Sequence, residues 1–387
     1  MGLSALLRPS VPSVVEDPLA LEQTNIVELG STFADLGHRT TVLMGDVYLD
    51  RRPWEFDNGL RVLPIPTVLR TPFHPGLFPM TPGLMGEPAL READILQTGE
   101  FHQPSTYFAS TAARQAGVPL VLWQETFTPM QVPGSLYQWA FETAAGPRIR
   151  RTVRRSIPRT TNAEAYLRRL GVPPQTIGAW IPSGVNVDTF APGESRHTHE
   201  DFGWAPDDRV LLLVARLDLI KGADLALRTL AAVRKRDPDV RLLIAGSGPE
   251  LPRLRRSIAT LRLEGAVRLL GQCSRRDLVS LFNLAEVVLS PSRKDLLPFS
   301  LMEASACGRS CVVTDVGAVR DIVVHGETGL VVERDDAEAL AQALLSLLDD
   351  EELRGAFGAE ARRRMEKYFA FPEVAERLLE VYREEAS

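Results

Sequence analysis

Three short stretches in the second half of this 387-residue chain combine residue types that could hold an anion and a polyhydroxylated ligand. The first is Arg216, directly after the apolar run Val210–Ala215, with Lys221-Gly222 five residues on. A helix N-terminus already attracts anions through its free N–H groups and its dipole. A lysine there is unfavourable for the helix alone and makes sense if a phosphate or diphosphate lies beside it. The bland alternative is an exposed loop lysine. The second stretch is Gly246-Ser247-Gly248-Pro249-Glu250, where small residues let a backbone come close to a ligand. The third runs from Ser290 to Ala304 and holds two acids, Asp295 and Glu303, eight residues apart. In one helix that spacing is about 12 Å, too far for the close carboxylate pair of a retaining glycosidase. Pro298 favours a loop before the helix, so Asp295 is expected on a strand-end loop and Glu303 inside the following helix. Carboxylates so placed can accept hydrogen bonds from several hydroxyls; a surface acid and a capping charge are the plainer reading.

The elements that must position these residues alternate. Apolar runs suited to buried parallel strands fall at Val210–Ala215, Val240–Ala245, Val267–Leu270, Val287–Leu289, Ser310–Thr314 and Gly329–Val332. Helical spacing separates them, as in Ala223, Ala226, Leu230 and Val233. The first half repeats the pattern less cleanly. Strands are expected at Ala5–Leu7, Thr40–Met44, Leu60–Ile65, Asp94–Gln97 and Pro119–Trp123, and helices at Asn25–Leu36 and Thr106–Ala116. Seven prolines between residues 64 and 88 exclude a regular helix there. The expected fold class is therefore α/β, with two Rossmann-like, doubly wound parallel-sheet domains facing across a cleft. The expected boundaries are an N-terminal domain at 1–183, a C-terminal domain at 184–365, and a last helix in 366–387 packing back on the first domain.

Bulk properties narrow the function. The net charge of −6 argues against a nucleic-acid partner. The chain has no apolar run near the ~20 residues that span a bilayer, and Met1–Pro9 lacks the basic start of a signal peptide. A cytoplasmic protein is expected. Cys273, Cys307 and Cys311 are too few for a disulfide framework and read as buried thiols. Only four of the 44 basic residues are lysines: Lys221, Lys235, Lys294 and Lys367. Residues 148–169 carry eight arginines against one acid, Glu164. Such a stretch is either a peripheral contact for an anionic membrane or a solvated helix face.

Taken together, the order strand–Arg216–Lys221, then Gly246–Glu250, then Asp295 to Glu303 resembles glycosyltransferase family 4, the retaining group 1 glycosyltransferases of GT-B fold. Ile181–Phe190 resembles that family's linker, Val313–Ala318 and Gly326–Gly329 its late motifs, and Gly37-His38 its early helix end. The resemblance spans nearly the whole chain. It implies a nucleotide-diphosphate sugar as donor, a hydroxyl acceptor on a glycan, lipid or small molecule, and no cofactor or metal. It implies that Arg216 and Lys221 bind the diphosphate, that Asp295 faces the donor sugar, and that Glu303 holds the ribose. Gly246, Ser247, Gly248 and the N–H groups of Phe299, Ser300 and Leu301 would line the donor. The first half departs from the pattern. Ala20 and Leu21 stand at the usual glycine pair, and Glu125 stands where a histidine commonly ends its strand. Glu125 then either polarises the acceptor or contacts the sugar, or is structural. His102 is an alternative, with a satisfied structural histidine as its plainer reading. Two competing functions follow: a nucleotide-sugar epimerase of the same fold, and a non-catalytic nucleotide-sugar-binding subunit.

Overall fold

The computed structural model describes residues 3–6, 24–46, 52–68, 80–129 and 134–387. Ala20, Leu21 and residues 69–79 of the proline-rich segment, including Phe73, Leu77 and Phe78, lie outside them. The chain divides into two compact units, Met1–Gly184 with Phe371–Ser387, and Val185–Ala370. The division therefore falls after Gly184, and residues 366–370 belong to the second unit, not to the last helix.

The described residues of the first unit include seven strands: β1 (Leu3–Leu6), β2 (Thr40–Gly45), β3 (Trp54–Glu55), β4 (Arg61–Ile65), β5 (Ile95–Gly99), β6 (Leu120–Gln124) and β7 (Val153–Pro158). Their order is β3-β4-β2-β1-β5-β6-β7, all parallel except the β3–β4 pair. Helices α1 (Asn25–Asp35), α2 (Pro104–Ala116), α3 (Gly134–Ala144), α4 (Gly146–Thr152) and α5 (Thr161–Arg169) precede the division. Along β6, Val121 and Trp123 pack with Phe33 of α1 and with Val374, Leu378 and Tyr382 of the closing helix, Phe371–Ala386. Leu120 and Leu122 pack instead with Ala109 and Ala112 of α2 and Leu167 of α5. Side chains alternate between two covered faces, so both sets must be apolar and the strand reads as an unbroken run.

The 148–169 stretch is not one basic face. It folds as α4, the edge strand β7 and α5. Within β7, Val153, Ser156, Ile157 and Pro158 are buried while Arg154 is exposed. Charge on an edge strand discourages pairing with another chain.

The second unit has six parallel strands: β8 (Arg209–Val214), β9 (Val240–Ala245), β10 (Val267–Gly271), β11 (Val287–Ser290), β12 (Ser310–Thr314) and β13 (Gly329–Val332). Between and after them come α6 (Ala223–Val233), α7 (Leu251–Thr260), α8 (Arg275–Leu284), α9 (Phe299–Ala306), α10 (Val319–Ile322), α11 (Ala337–Asp349) and α12 (Glu351–Arg364); the closing helix is α13. Side-chain caps start three of them: Ser274, Asp336 and Asp350 accept from the N–H three residues on. Each such cap contributes about 1 kcal/mol. The strand order is β10-β9-β8-β11-β12-β13. The chain winds outward from β8 through β9 to β10, then returns to β11 on the other side of β8. The topological switch point therefore lies between β8 and β11, where open α/β sheets bind ligands beyond the carboxyl ends of the strands.

Candidate active site

Four of the loops that leave the carboxyl edge of the second unit's sheet, those after β8, β9, β11 and β12, touch one another at glycines. Gly222, with φ of +71°, would place a Cβ 1.9 Å from the carbonyl oxygen of Pro291, joining the β8 and β11 loops. At Gly317, φ +62°, a Cβ would meet the Asp295 carbonyl at 2.1 Å, joining the β12 loop to the β11 loop. Gly246 and Gly248 press on Ala215 and Leu217, and backbone bonds from Leu217 N–H to Ser247 (2.8 Å) and from Glu250 N–H to Leu217 (2.9 Å) lock the β8 and β9 loops together. The expected reason for glycine in the 246–248 turn was close approach to a ligand. In the protein, Gly246 and Gly248 admit a neighbouring backbone.

This stitching brings Lys221 and Asp295, 74 residues apart in sequence, into an ion pair of 2.6 Å across the switch point. Their side chains are 21% and 10% exposed, so water screens the pair little. Asp295 Oδ1 accepts from the Leu296 N–H at 3.0 Å, and Ser292 Oγ lies 3.4 Å from Oδ2. Arg216 is far more open at 69%, and its Nε donates to Asp218 Oδ2 at 2.6 Å. Each of the two expected phosphate-binding cations thus holds an acid of its own. Asp218 escaped the sequence reading, although an acid two residues after Arg216 was a visible signal. Glu303 lies half-buried within α9. The opening N–H groups of a helix have no intrahelical acceptor. In α9, that of Leu301 is taken by the Pro298 carbonyl at 3.0 Å. The Leu301 N–H, expected to line the donor with those of Phe299 and Ser300, thus already has a backbone acceptor.

The first unit gathers a different cluster at the ends of β5, β6 and β7. Glu125 pairs with Arg159 Nη2 at 2.9 Å. The Arg159 guanidinium lies 4.5 Å from the Trp123 ring and donates from Nε to Ser183 Oγ at 3.0 Å. Glu100, a non-glycine at φ +60°, accepts from Gln124 Nε2 at 2.8 Å and the Glu125 N–H at 2.9 Å. A left-handed non-glycine residue is costly, and here the strained turn aims the carboxylate at the next strand end. His102 is buried among Phe101, Phe141 and Tyr166, with Nε2 2.8 Å from Glu142. Burial lowers its pKa against the opposing hydrogen bond and charge of Glu142. It is a packed, satisfied histidine.

Of the eight arginines at 148–169, six have partners inside the first unit, as Arg155 has in Glu385 (2.8 Å) and Arg148 in Thr111 (3.1 Å). Arg151 and Arg154 are exposed. Cys307 and Cys311 are buried free thiols whose pKa burial pushes up to about 12. No described helix is long and apolar enough to cross a membrane. Among the described residues, no group of three or more His, Cys, Asp or Glu is placed to hold a metal ion.

Two doubly wound α/β units, each with polar residues gathered at its strand ends, define the GT-B class of transferase architecture. Residues 194–364, somewhat under half of the chain, match the family described as glycosyl transferases group 1. It is 28% identical over 366 residues to the phosphatidyl-myo-inositol mannosyltransferase of Mycolicibacterium smegmatis, covering 93% of this chain and 89% of that one. A D-inositol 3-phosphate glycosyltransferase of Corynebacterium urealyticum is 33% identical over 215 residues, which are 53% of this chain and 50% of the relative. Among solved structures, Anabaena HepE in complex with UDP matches with a TM-score of 0.76 at 16% identity, covering 99% of this chain and 100% of that one. Sucrose-phosphate synthase of Thermosynechococcus elongatus matches with a TM-score of 0.72 at 20% identity, covering 99% of each. At such identities these structures show the shared fold.

Proposed function

We propose that the chain is a retaining enzyme that transfers a sugar from a nucleoside-diphosphate sugar to a hydroxyl of an inositol-containing acceptor. The observation that carries this reading is the Lys221–Asp295 pair across the β8/β11 switch point. A diphosphate there would give Lys221 and Arg216 a shared anion, and Asp295 would turn to the hydroxyls of the donor sugar. Phe299 and Ser300 would offer N–H groups to the phosphates, and Glu303 would accept from the ribose. The Gly246-Ser247-Gly248 turn would wall the site.

In the reaction, the bond from the anomeric carbon to the diphosphate oxygen breaks and a bond to the acceptor oxygen forms on the same face. The acceptor proton passes to the departing phosphate oxygen, so no separate base is required. Negative charge grows on the leaving group, and fixed cations that stabilise growing charge lower the barrier. Glu125, held by Arg159, would orient the acceptor or the sugar. The acceptor class is suggested by the names of the two inositol-directed relatives. A lipid-linked acceptor at an anionic membrane would engage Arg151 and Arg154.

A panel of nucleotide sugars tests the donor, because a ligand of the native state raises its melting temperature by mass action. Transfer is then assayed with and without inositol acceptors, with product anomer read by NMR. Lys221→Ala and Glu303→Ala should each lower turnover by about 10²–10³-fold with the fold retained. Wild-type rates from both variants would overturn the assignment of the site.

A further inference from the structure

Arg293 belongs to the 290–304 stretch, two residues before Asp295, yet the proposed chemistry leaves it without a task. Its side chain is 21% exposed and reaches three separate segments. Nη1 and Nη2 grip both carboxylate oxygens of Asp224, at the start of α6, at 2.7 and 2.9 Å. Nη1 also donates to the Leu219 carbonyl at 2.9 Å, in the loop that carries Lys221. Nε donates to Asp335 Oδ1 at 2.6 Å, in the loop after β13. The Arg293 backbone N–H adds a bond to the Ile220 carbonyl at 2.7 Å.

A guanidinium has five N–H donors in a rigid fork. Four of them are engaged here, all by protein oxygens. The side chain is therefore occupied by the scaffold and not turned to a ligand. Asp335 adds a second sign of purpose. It is one of few non-glycine residues at positive φ, +63°, and such strain persists only where surrounding contacts hold it. The carbonyls gripped by Arg293, at Leu219 and Ile220, immediately precede Lys221. Asp295 sits two residues from Arg293 itself. One residue, through its side chain and its backbone N–H, thus ties together the two loops whose tips form the ion pair.

We infer that Arg293 is a positioning residue for the donor site, clamping the β8 and β11 loops so that Lys221 and Asp295 meet. The inference rests on the reading of Lys221 as a diphosphate ligand. Lysine cannot replace the fork, because it offers one point charge and no bidentate geometry.

The experiment is a double-mutant cycle on donor kcat/KM. Arg293→Met alone should lower kcat/KM about thirtyfold, with both a higher donor KM and a lower kcat, because small misplacement of reacting groups is costly. In a Lys221→Ala background the same substitution should cost less than about threefold, since residues acting through one another are not additive. Arg293→Lys should recover only part of the loss. Where Arg293→Met does not fold, Asp335→Asn removes the charge of one anchor and is read in the same cycle. Equal losses in both backgrounds would mean a general stability role and overturn the inference. A Lys221→Ala variant with wild-type activity would overturn the donor-site reading itself, and the clamp with it.

Discussion

The two sheets end in polar clusters of opposite construction. In the second unit, Lys221 and Asp295 come from β8 and β11, the strands that flank the switch point. Backbone meets backbone around them, at Gly222 against Pro291 and at Gly317 against Asp295. In the first unit, Glu125 and Arg159 come from β6 and β7, neighbours in sequence and at one edge of the sheet. There the contacts run through side chains, from Glu100 to Gln124 and from Arg159 to Ser183. A cluster built on backbone contact has a geometry that few substitutions can preserve. One built from side chains can be re-formed with other residues. The cluster holding Lys221 and Asp295 is thus the rigid element, and the cluster holding Glu125 is the adaptable one.

Glycine substitutions test that contrast with the largest expected effect. Gly222 and Gly37 both have positive φ, +71° and +86°. A Cβ on Gly222 would lie 1.9 Å from a backbone oxygen, whereas nothing lies within 4 Å of one on Gly37. Gly37→Ala should cost about 1 kcal/mol, the penalty of a left-handed alanine alone. Gly222→Ala should cost about 3 kcal/mol or more and lower donor turnover beyond about a hundredfold, because the β8 loop must move off Pro291. Urea unfolding and a transfer assay read both. Equal costs would show that loop contact is not what fixes the second site.

A smaller effect is expected at Glu125. Glu125→Gln keeps a hydrogen bond to Arg159 and removes the charge. Turnover should fall by about three- to tenfold with donor KM unchanged, the loss of one charge-assisted contact. Steady-state kinetics beside Lys221→Ala sharpens the comparison. A loss as deep as that of Lys221→Ala would make the first cluster as essential as the second.

The same contrast explains what the sequence disclosed. Buried parallel strands covered on both faces leave continuous apolar runs, so β8, β9, β12 and β13 were legible almost to the residue. β7 was not, because two arginines interrupt an edge strand whose outward positions face water. Arg216, Lys221, Asp295 and Glu303 stood out by their places after strands. Their partners did not: no local pattern announces a bond between Lys221 and Asp295, or Arg293 reaching Asp335 across 42 residues. Glycine was visible at positions 222, 246, 248 and 317, but its reason was the approach of another loop, which only the folded chain supplies. Glu100 was hidden because a left-handed turn is not expected of glutamate.

The smallest effect separates the clusters by pH. His102 has a folded-state pKa below the ordinary 6.5, chiefly because burial disfavours the imidazolium, with Glu142 opposing. Between the two values the unfolded chain binds more protons than the folded one. Stability therefore rises with pH in that window. The contribution of His102 is fully present above about 6.5 and is lost as pH falls through the lowered value. His38 is shifted the same way, again chiefly by burial. Hydrogen exchange at about pH 7.5 and about pH 5.5 should show α3 and α5, whose Phe141, Glu142 and Tyr166 surround His102, losing protection on acidification. His102→Gln should reduce that slope without abolishing it, since His38 remains, and should leave turnover at the higher pH unchanged. An unaltered slope would remove His102 as its cause. A collapse of turnover would instead place this buried imidazole in the chemistry and make the first unit's cluster larger than Glu125 and Arg159.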